Sequence, residues 1–187
     1  KIVYASTFNV YEEDNKKFIL NEESKCKPKS LYAISKLAAE NYIRVYGNHI
    51  GIKWNIIRMF NIYGPGQDPE NKFLGMINIF LNMAKKDPKI VVKGSLNRFR
   101  DFVFIDDIIR AWVLIVEDKK HGNQIYNVGS GQKTTINELL KKISIVLNKK
   151  IIVEEKSGTP GDFMGCVADI NKIKRDLGYK PTTNLEN

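Results

Sequence analysis

Among the 187 residues, the side chains best placed to do chemistry form the short pattern Tyr32-Ala-Ile-Ser-Lys36. On a helix, a phenol and an ammonium four residues apart project from one face, about 5–6 Å apart at Cβ. A free tyrosine titrates near about 10 and is a poor base at neutral pH, but a neighbouring cation favours the phenolate and turns the two into an acid–base unit. Chance places such pairs on many amphipathic helices, so context decides. Upstream, the apolar run at residues 2–5 ends in Ser6-Thr7. A hydroxyl there would sit at the carboxyl end of a buried strand, where open α/β sheets bind their ligands.

A strand and a helix must hold that pair. Residues 2–5, Ile-Val-Tyr-Ala, have the continuous apolar character of a buried parallel strand. Ser30 can cap a helix whose apolar and small positions Leu31, Ile34, Leu37, Ala38, Tyr42 and Val45 keep helical spacing toward Gly47. Residues 54–60, rich in Ile and aromatics, predict a second buried strand that Gly64-Pro65-Gly66 ends. An amphipathic helix follows over 73–84, then strands over 90–92 and 101–105, and a helix capped by Asp106 that runs to 116. A strand over 125–128 stops at Gly129-Ser130-Gly131, and Thr135 caps the next helix with Glu138 in the capping-box position. A strand over 151–154 and a helix over 171–177 complete the chain. Strands alternating with helices of these lengths predict an α/β fold with a right-handed parallel sheet, the later and shorter elements forming a smaller lobe.

Four more polar motifs stand in loops or at strand ends: Arg58-Met-Phe-Asn61-Ile-Tyr-Gly64-Pro65, Arg100-Asp101-Phe-Val-Phe-Ile-Asp106-Asp107, Asn127-Val-Gly129-Ser-Gly131 and Pro160-Gly161-Asp162. A guanidinium such as Arg100 can meet two oxyanion oxygens with its planar fork. An aspartate such as Asp162 can accept from two neighbouring hydroxyls.

Taken with the Ser-Thr strand end and Tyr-x-x-x-Lys, these motifs resemble in type and order those of the extended short-chain dehydrogenases, the family that includes UDP-glucose 4-epimerase and its relatives. The resemblance implies the C-terminal part of a Rossmann-like, doubly wound parallel sheet with a smaller α/β substrate lobe. Residues 1–62 and 100–130 would belong to the NAD-binding part, and 63–99 and 131–187 to the nucleotide-sugar lobe. It implies catalytic roles for Tyr32, Lys36 and Thr7, with Tyr32 and Lys36 also contacting NAD. Thr7, Asn61, Arg100, Asp162 and Cys166 would bind a UDP-sugar or another nucleotide-diphosphate sugar, and the protein would be a homodimer. The family's Gly-x-x-Gly-x-x-Gly phosphate loop does not occur in these residues. The expectation is therefore that the N-terminal segment is missing, that these residues alone bind NAD weakly, and that alone they are inactive.

Departures from the family pattern narrow the chemistry. Dehydratases and decarboxylases of this family place an acid just after the Ser/Thr, where this chain has Phe8-Asn9. Without that proton donor, NAD-dependent epimerisation at C4 through a 4-keto intermediate is favoured over 4,6-dehydration, and a reductase of the same family stays as an alternative. An inactive binding or interaction protein is a third possibility, against which the complete Tyr32, Lys36 and Thr7 set speaks. Thr159 stands where a second phosphate-binding arginine is common, and Glu12 where a glycine is. Cys166 takes a place that is a bulky tyrosine in some 4-epimerases, so N-acetylated hexosamines are expected to fit.

Composition excludes other classes. Thirty basic against 21 acidic residues give a formal charge of +9, which admits a polyanionic ligand. The Lys-Lys pairs beginning at Lys16, Lys85, Lys119, Lys141 and Lys149 are dispersed as solvated faces are, with no basic stripe and interleaved aromatics to suggest nucleic acid. Cys26 and Cys166 lie far apart with no Cys or His at metal spacing, as in reduced, metal-free cytoplasmic proteins. No run approaches the ~18 apolar residues of a membrane span.

Overall fold

A computed structural model describes residues 1–14, 16–67, 75–158 and 163–185. The start of the helix expected at residue 73 and the whole Thr159-Pro160-Gly161-Asp162 motif lie outside the described residues. In chain order the elements are β1 (Ile2–Thr7), a 3-10 turn (Phe8–Val10), β2 (Ile19–Leu20), α1 (Leu31–His49), β3 (Trp54–Met59), β4 (Asn61–Tyr63), α2 (Met76–Lys86), β5 (Lys89–Lys93), β6 (Phe99–Arg100) and β7 (Phe102–Phe104). Then come α3 (Ile105–Glu117), β8 (Gln124–Val128), β9 (Thr134–Thr135), α4 (Ile136–Val146), β10 (Ile152–Lys156), β11 (Val167–Ala168) and α5 (Asn171–Leu177).

The main sheet runs β1-β3-β8, all parallel, with Thr7 opposite Met59 and Met59 opposite Val128. Its centre is apolar because Ile56, Ile57, Tyr126 and Val128 are fully buried, each such aliphatic side chain contributing roughly 1.5–3 kcal/mol. One core joins Ile57, Val103, Ile108, Ala111, Ile115 and Ile173 between the sheet, α3 and α5. A second joins α2, α4 and the parallel pair β5–β10 around Phe80, Ile90, Phe102, Leu139 and Ile143. The parallel α/β reading therefore holds.

Local differences have local causes. The strand expected over 54–60 is two: Phe60 breaks it, and β4 leaves the main sheet to pair with β7. The strand expected over 101–105 is β7, shortened because Ile105 already opens α3; before Asp101 a separate strand, β6, pairs with β9, whereas β7 pairs with β4. Asp106 does not cap α3. Phe104 occupies the cap position without a side-chain bond, and Asp106 and Asp107 lie in the first turn, where carboxylates suit the helix dipole. Asp107 is fully buried and accepts from the backbone N–H groups of Thr182 (2.9 Å) and Thr183 (3.1 Å), so it anchors the C-terminal segment instead.

Ser30 does cap α1, its hydroxyl accepting from Ala33 N–H at 3.1 Å. The helix passes Gly47, whose missing Cβ lets Trp54 pack 2.7 Å from where that atom would stand. The apolar stripe that marked this helix faces outward, with Leu31 86% and Tyr42 77% exposed. Thr135 and Glu138 form the reciprocal capping box of α4. Thr135→Ala is expected to lower stability by about 1 kcal/mol, measurable by urea denaturation with an unchanged slope.

Candidate active site

Parallel pairing puts the carboxyl ends of β1, β3 and β8 on one edge of the sheet. Thr7 is the last residue of β1 and is buried. Its hydroxyl accepts from Asn9 N–H at 3.3 Å and so opens the 3-10 turn. Helix α1 packs along β1 and that turn. From it, Lys36 Nζ donates to Ala5 O at 2.9 Å and stands 5.7 Å from the centre of the Tyr32 ring. Tyr32 and Lys36 thus share one helix face, and Lys36 is tied to the strand that ends in Thr7.

Burial along that face follows from helix geometry. Each four-residue step turns about 40°, so the face rotates from Tyr32, 54% exposed, through half-buried Lys36 to Glu40, 0% exposed. A phenol open to solvent beside an ammonium fixed at the sheet edge is an acid–base pair that a bound hydroxyl can reach.

The expected site residues did not include Glu40. Its carboxylate accepts a hydrogen bond from the Ser6 hydroxyl at 2.5 Å and is gripped by Arg58 through Nε (3.0 Å) and Nη2 (2.6 Å). Arg58 also lies 4.8 Å from the centre of the Tyr11 ring and donates to Glu22 O at 3.3 Å. Its guanidinium is held protonated more firmly than usual, the Glu40 and Tyr11 contacts outweighing the cost of burial. Tyr11 donates to Asn127 Oδ1 at 2.6 Å, and burial pushes its phenol well above the ordinary range. A charge inside the apolar segment Trp54–Met59, and a glutamate four residues beyond Lys36, were the sequence signals for this pair.

Asn61 and Arg100 both neighbour Asp101. Asn61 Nδ2 donates to Asp101 O at 3.1 Å, and the residue lines a cavity of about 90 Å³ at the start of α2. Asn78, from the first turn of α2, lines the same cavity, and its Nδ2 is buried without a hydrogen-bond partner among the described residues. Leaving such a donor unmet costs about 1–3 kcal/mol, a cost that an acceptor on a ligand would remove. Arg100 donates to Phe99 O at 2.7 Å and its guanidinium stands 5.7 Å from the Phe163 ring. Phe163, Cys166, Phe8 and Asn9 border a crevice of about 10 Å³, so the Arg100 side adjoins the turn after Thr7.

Cys166 itself is fully buried, and burial pushes its thiol up to about 12. Because the thiolate is the reactive form, Cys166 is expected to resist iodoacetamide at pH 8 in the folded protein and to react after denaturation. Mass spectrometry of the labelled peptides checks this.

Asp101 organises the frame around these residues. Fully buried, it accepts from Ser130 N–H (2.7 Å), Ser130 Oγ–H (2.6 Å), Gly131 N–H (2.9 Å) and Ala168 N–H (3.0 Å). Burial raises its carboxyl pKa while the four donors pull it back. Gly129 is required beside it, since a Cβ there would come within 2.6 Å of Asp101 Oδ2. No group of three metal-ligating side chains occurs among the described residues, and no described helix is long and apolar enough to cross a membrane.

Known proteins are similar to this chain in sequence and fold. Over all 187 residues the chain is 33% identical to a putative UDP-glucose 4-epimerase of Methanocaldococcus jannaschii, covering 59% of that protein. It is 32% identical to dTDP-4-dehydro-6-deoxyglucose reductase of Escherichia coli, again over its whole length, covering 58% of that protein. The crystal structure of UDP-glucose 4-epimerase with UDP-glucose from Thermotoga maritima superposes with a TM-score of 0.89 at 31% identity, over 98% of this chain and 59% of the other. The chain thus spans under three fifths of the length of these relatives. Residues 1–129 match the NAD dependent epimerase/dehydratase family, and the chain belongs to that family.

Proposed function

We propose that the whole protein to which these residues belong inverts C4 of a nucleotide-diphosphate sugar, a UDP-sugar above all. The observation that carries this is the Lys36–Tyr32 pair, at 5.7 Å, docked on the strand that ends in Thr7. Tyr32 takes the proton of the C4 hydroxyl as the 4-keto intermediate forms and returns it after the sugar has turned. Thr7 donates to the reacting oxygen. Lys36 holds a positive charge beside the phenol. An ammonium has three donors and Lys36 spends one on Ala5, so two are left to suit the hydroxyls of a nicotinamide ribose. NAD, when bound, supplies the hydride acceptor and donor at C4.

Asn61, joined by the unmet amide of Asn78, would face the substrate diphosphate in the cavity they line, and Arg100 would meet it as well. Asp162 would hold the nucleotide ribose. Residues 63–99 and 131–187 would form the sugar-nucleotide lobe. The outward apolar face of α1 suits a homodimer. The reading that N-acetylated hexosamines are accepted rests on the small Cys166 standing in place of a tyrosine, and it predicts that Cys166→Tyr lowers kcat/KM for a UDP-N-acetylhexosamine more than for a UDP-hexose. Equal losses on both would remove this assignment.

A 4-keto reductase is the second reading, favoured by the Escherichia coli relative. Both need the Tyr–Lys pair and neither needs the acid that Phe8-Asn9 lacks. Incubation of the whole protein with NAD and a panel of UDP- and dTDP-sugars, and in parallel with NADH and a nucleotide-linked 4-keto sugar, each followed by NMR, decides between them. Inverted C4 is the expected product. Reduction of a 4-keto sugar with NADH, and no inversion, would make it a reductase, and no conversion of any sugar would overturn both.

A further inference from the structure

We infer that Glu40 and Arg58, acting through Ser6, are positioning residues that fix the height of the Tyr32–Lys36 helix against the strand carrying Thr7. This rests on the proposed epimerase chemistry. Helix α1 touches β1 through two directional polar contacts one turn apart, Lys36 Nζ to Ala5 O at 2.9 Å and Ser6 Oγ to Glu40 Oε1 at 2.5 Å. They grip the two residues directly before Thr7. Apolar side chains alone would let a helix slide or roll on a strand, because the hydrophobic effect is non-directional. Two hydrogen bonds in register do not.

Arg58 is what aims the Glu40 carboxylate. It binds both carboxylate oxygens from β3, and the two side chains are 4% and 0% exposed. It also carries the constraint past Thr7, because its guanidinium lies against Tyr11 on the far side of the 3-10 turn, and Tyr11 is tied to Asn127 on β8. Thr7 is therefore bracketed by Ser6 and Tyr11, both referred to one ion pair. A buried pair of this kind is often no more stabilising than apolar side chains of the same volume, so stability alone gives it no special worth here. Geometry does, since a misplacement of about 1 Å at a reacting centre can cost roughly 100-fold in rate.

The test uses the whole protein and three forms: wild type, Ser6→Ala, and the double variant Glu40→Met with Arg58→Met, which leaves no buried charge unpaired. For Ser6→Ala, kcat should fall about 10-fold with KM changed by less than about 3-fold, and for the double variant about 100-fold, with Tm no lower than wild type. With substrate deuterated at C4, the isotope effect on kcat should rise in both as chemistry becomes slower than product release. Folded variants with wild-type kcat and isotope effect would overturn the inference while the epimerase assignment stands. Wild type that turns over no sugar nucleotide would overturn both. Should the double variant not fold, Ser6→Ala decides by the same two readouts.

Discussion

Phenylalanine at position 32 is expected to lower kcat for C4 inversion by about 10²–10⁴-fold, the usual worth of a positioned acid–base group, while KM changes little. The substitution removes one oxygen from a side chain that is 54% exposed, so folding should be untouched and Tm should stay within a degree or two. The ring remains beside Lys36, whose bond to Ala5 O does not involve Tyr32. Cofactor retention is therefore expected to survive, and fluorescence of bound NADH in the whole protein can verify it. A variant that keeps more than a tenth of wild-type kcat would show that the phenol is not the proton acceptor, and attention would pass to Thr7.

Asp101→Ala should produce the largest loss of stability, about 3–5 kcal/mol by urea denaturation. Four donors converge on that carboxylate from Ser130, Gly131 and Ala168, and alanine would leave all of them without this acceptor, the Ala168 N–H in a buried position. The consequence extends to the candidate site. Asn61 hangs from the carbonyl of the same residue, Arg100 precedes it, and Cys166 lies two residues before Ala168. Substrate KM is thus expected to rise in whatever fraction remains folded. Asp101→Asn, which keeps the volume but turns one acceptor into a donor, should recover only a small part of the stability.

Regular elements with strong local signals were legible in the sequence. The Ser30 cap, the Thr135–Glu138 box and the apolar runs of β1, β3 and β8 need only near neighbours to declare themselves. The pieces that were not legible depend on distant partners. β4, β6, β7, β9 and β11 have two or three residues each, too few to show any periodicity, and single residues at Phe60 and Asp101 switch the chain from one sheet to another. The anchoring role of Asp107 was hidden because its partners, Thr182 and Thr183, are some 75 residues away. Of the site, Tyr32, Lys36 and Thr7 were visible as a motif. Glu40 was not, because a glutamate on a lysine-bearing helix face looks like a solvated side chain, and only the rotation of that face buries it.

The order β1-β3-β8 has one more consequence. Among the described residues β1 pairs with β3 alone, which leaves a row of backbone donors and acceptors along its other side, next to Tyr4 and the half-exposed Ile2. Such a border is a template for other extended chains. Handled as these 187 residues alone, the polypeptide should self-associate as its concentration rises, and a charged residue introduced at the exposed start of that border, such as Ile2→Lys, should keep it dispersed.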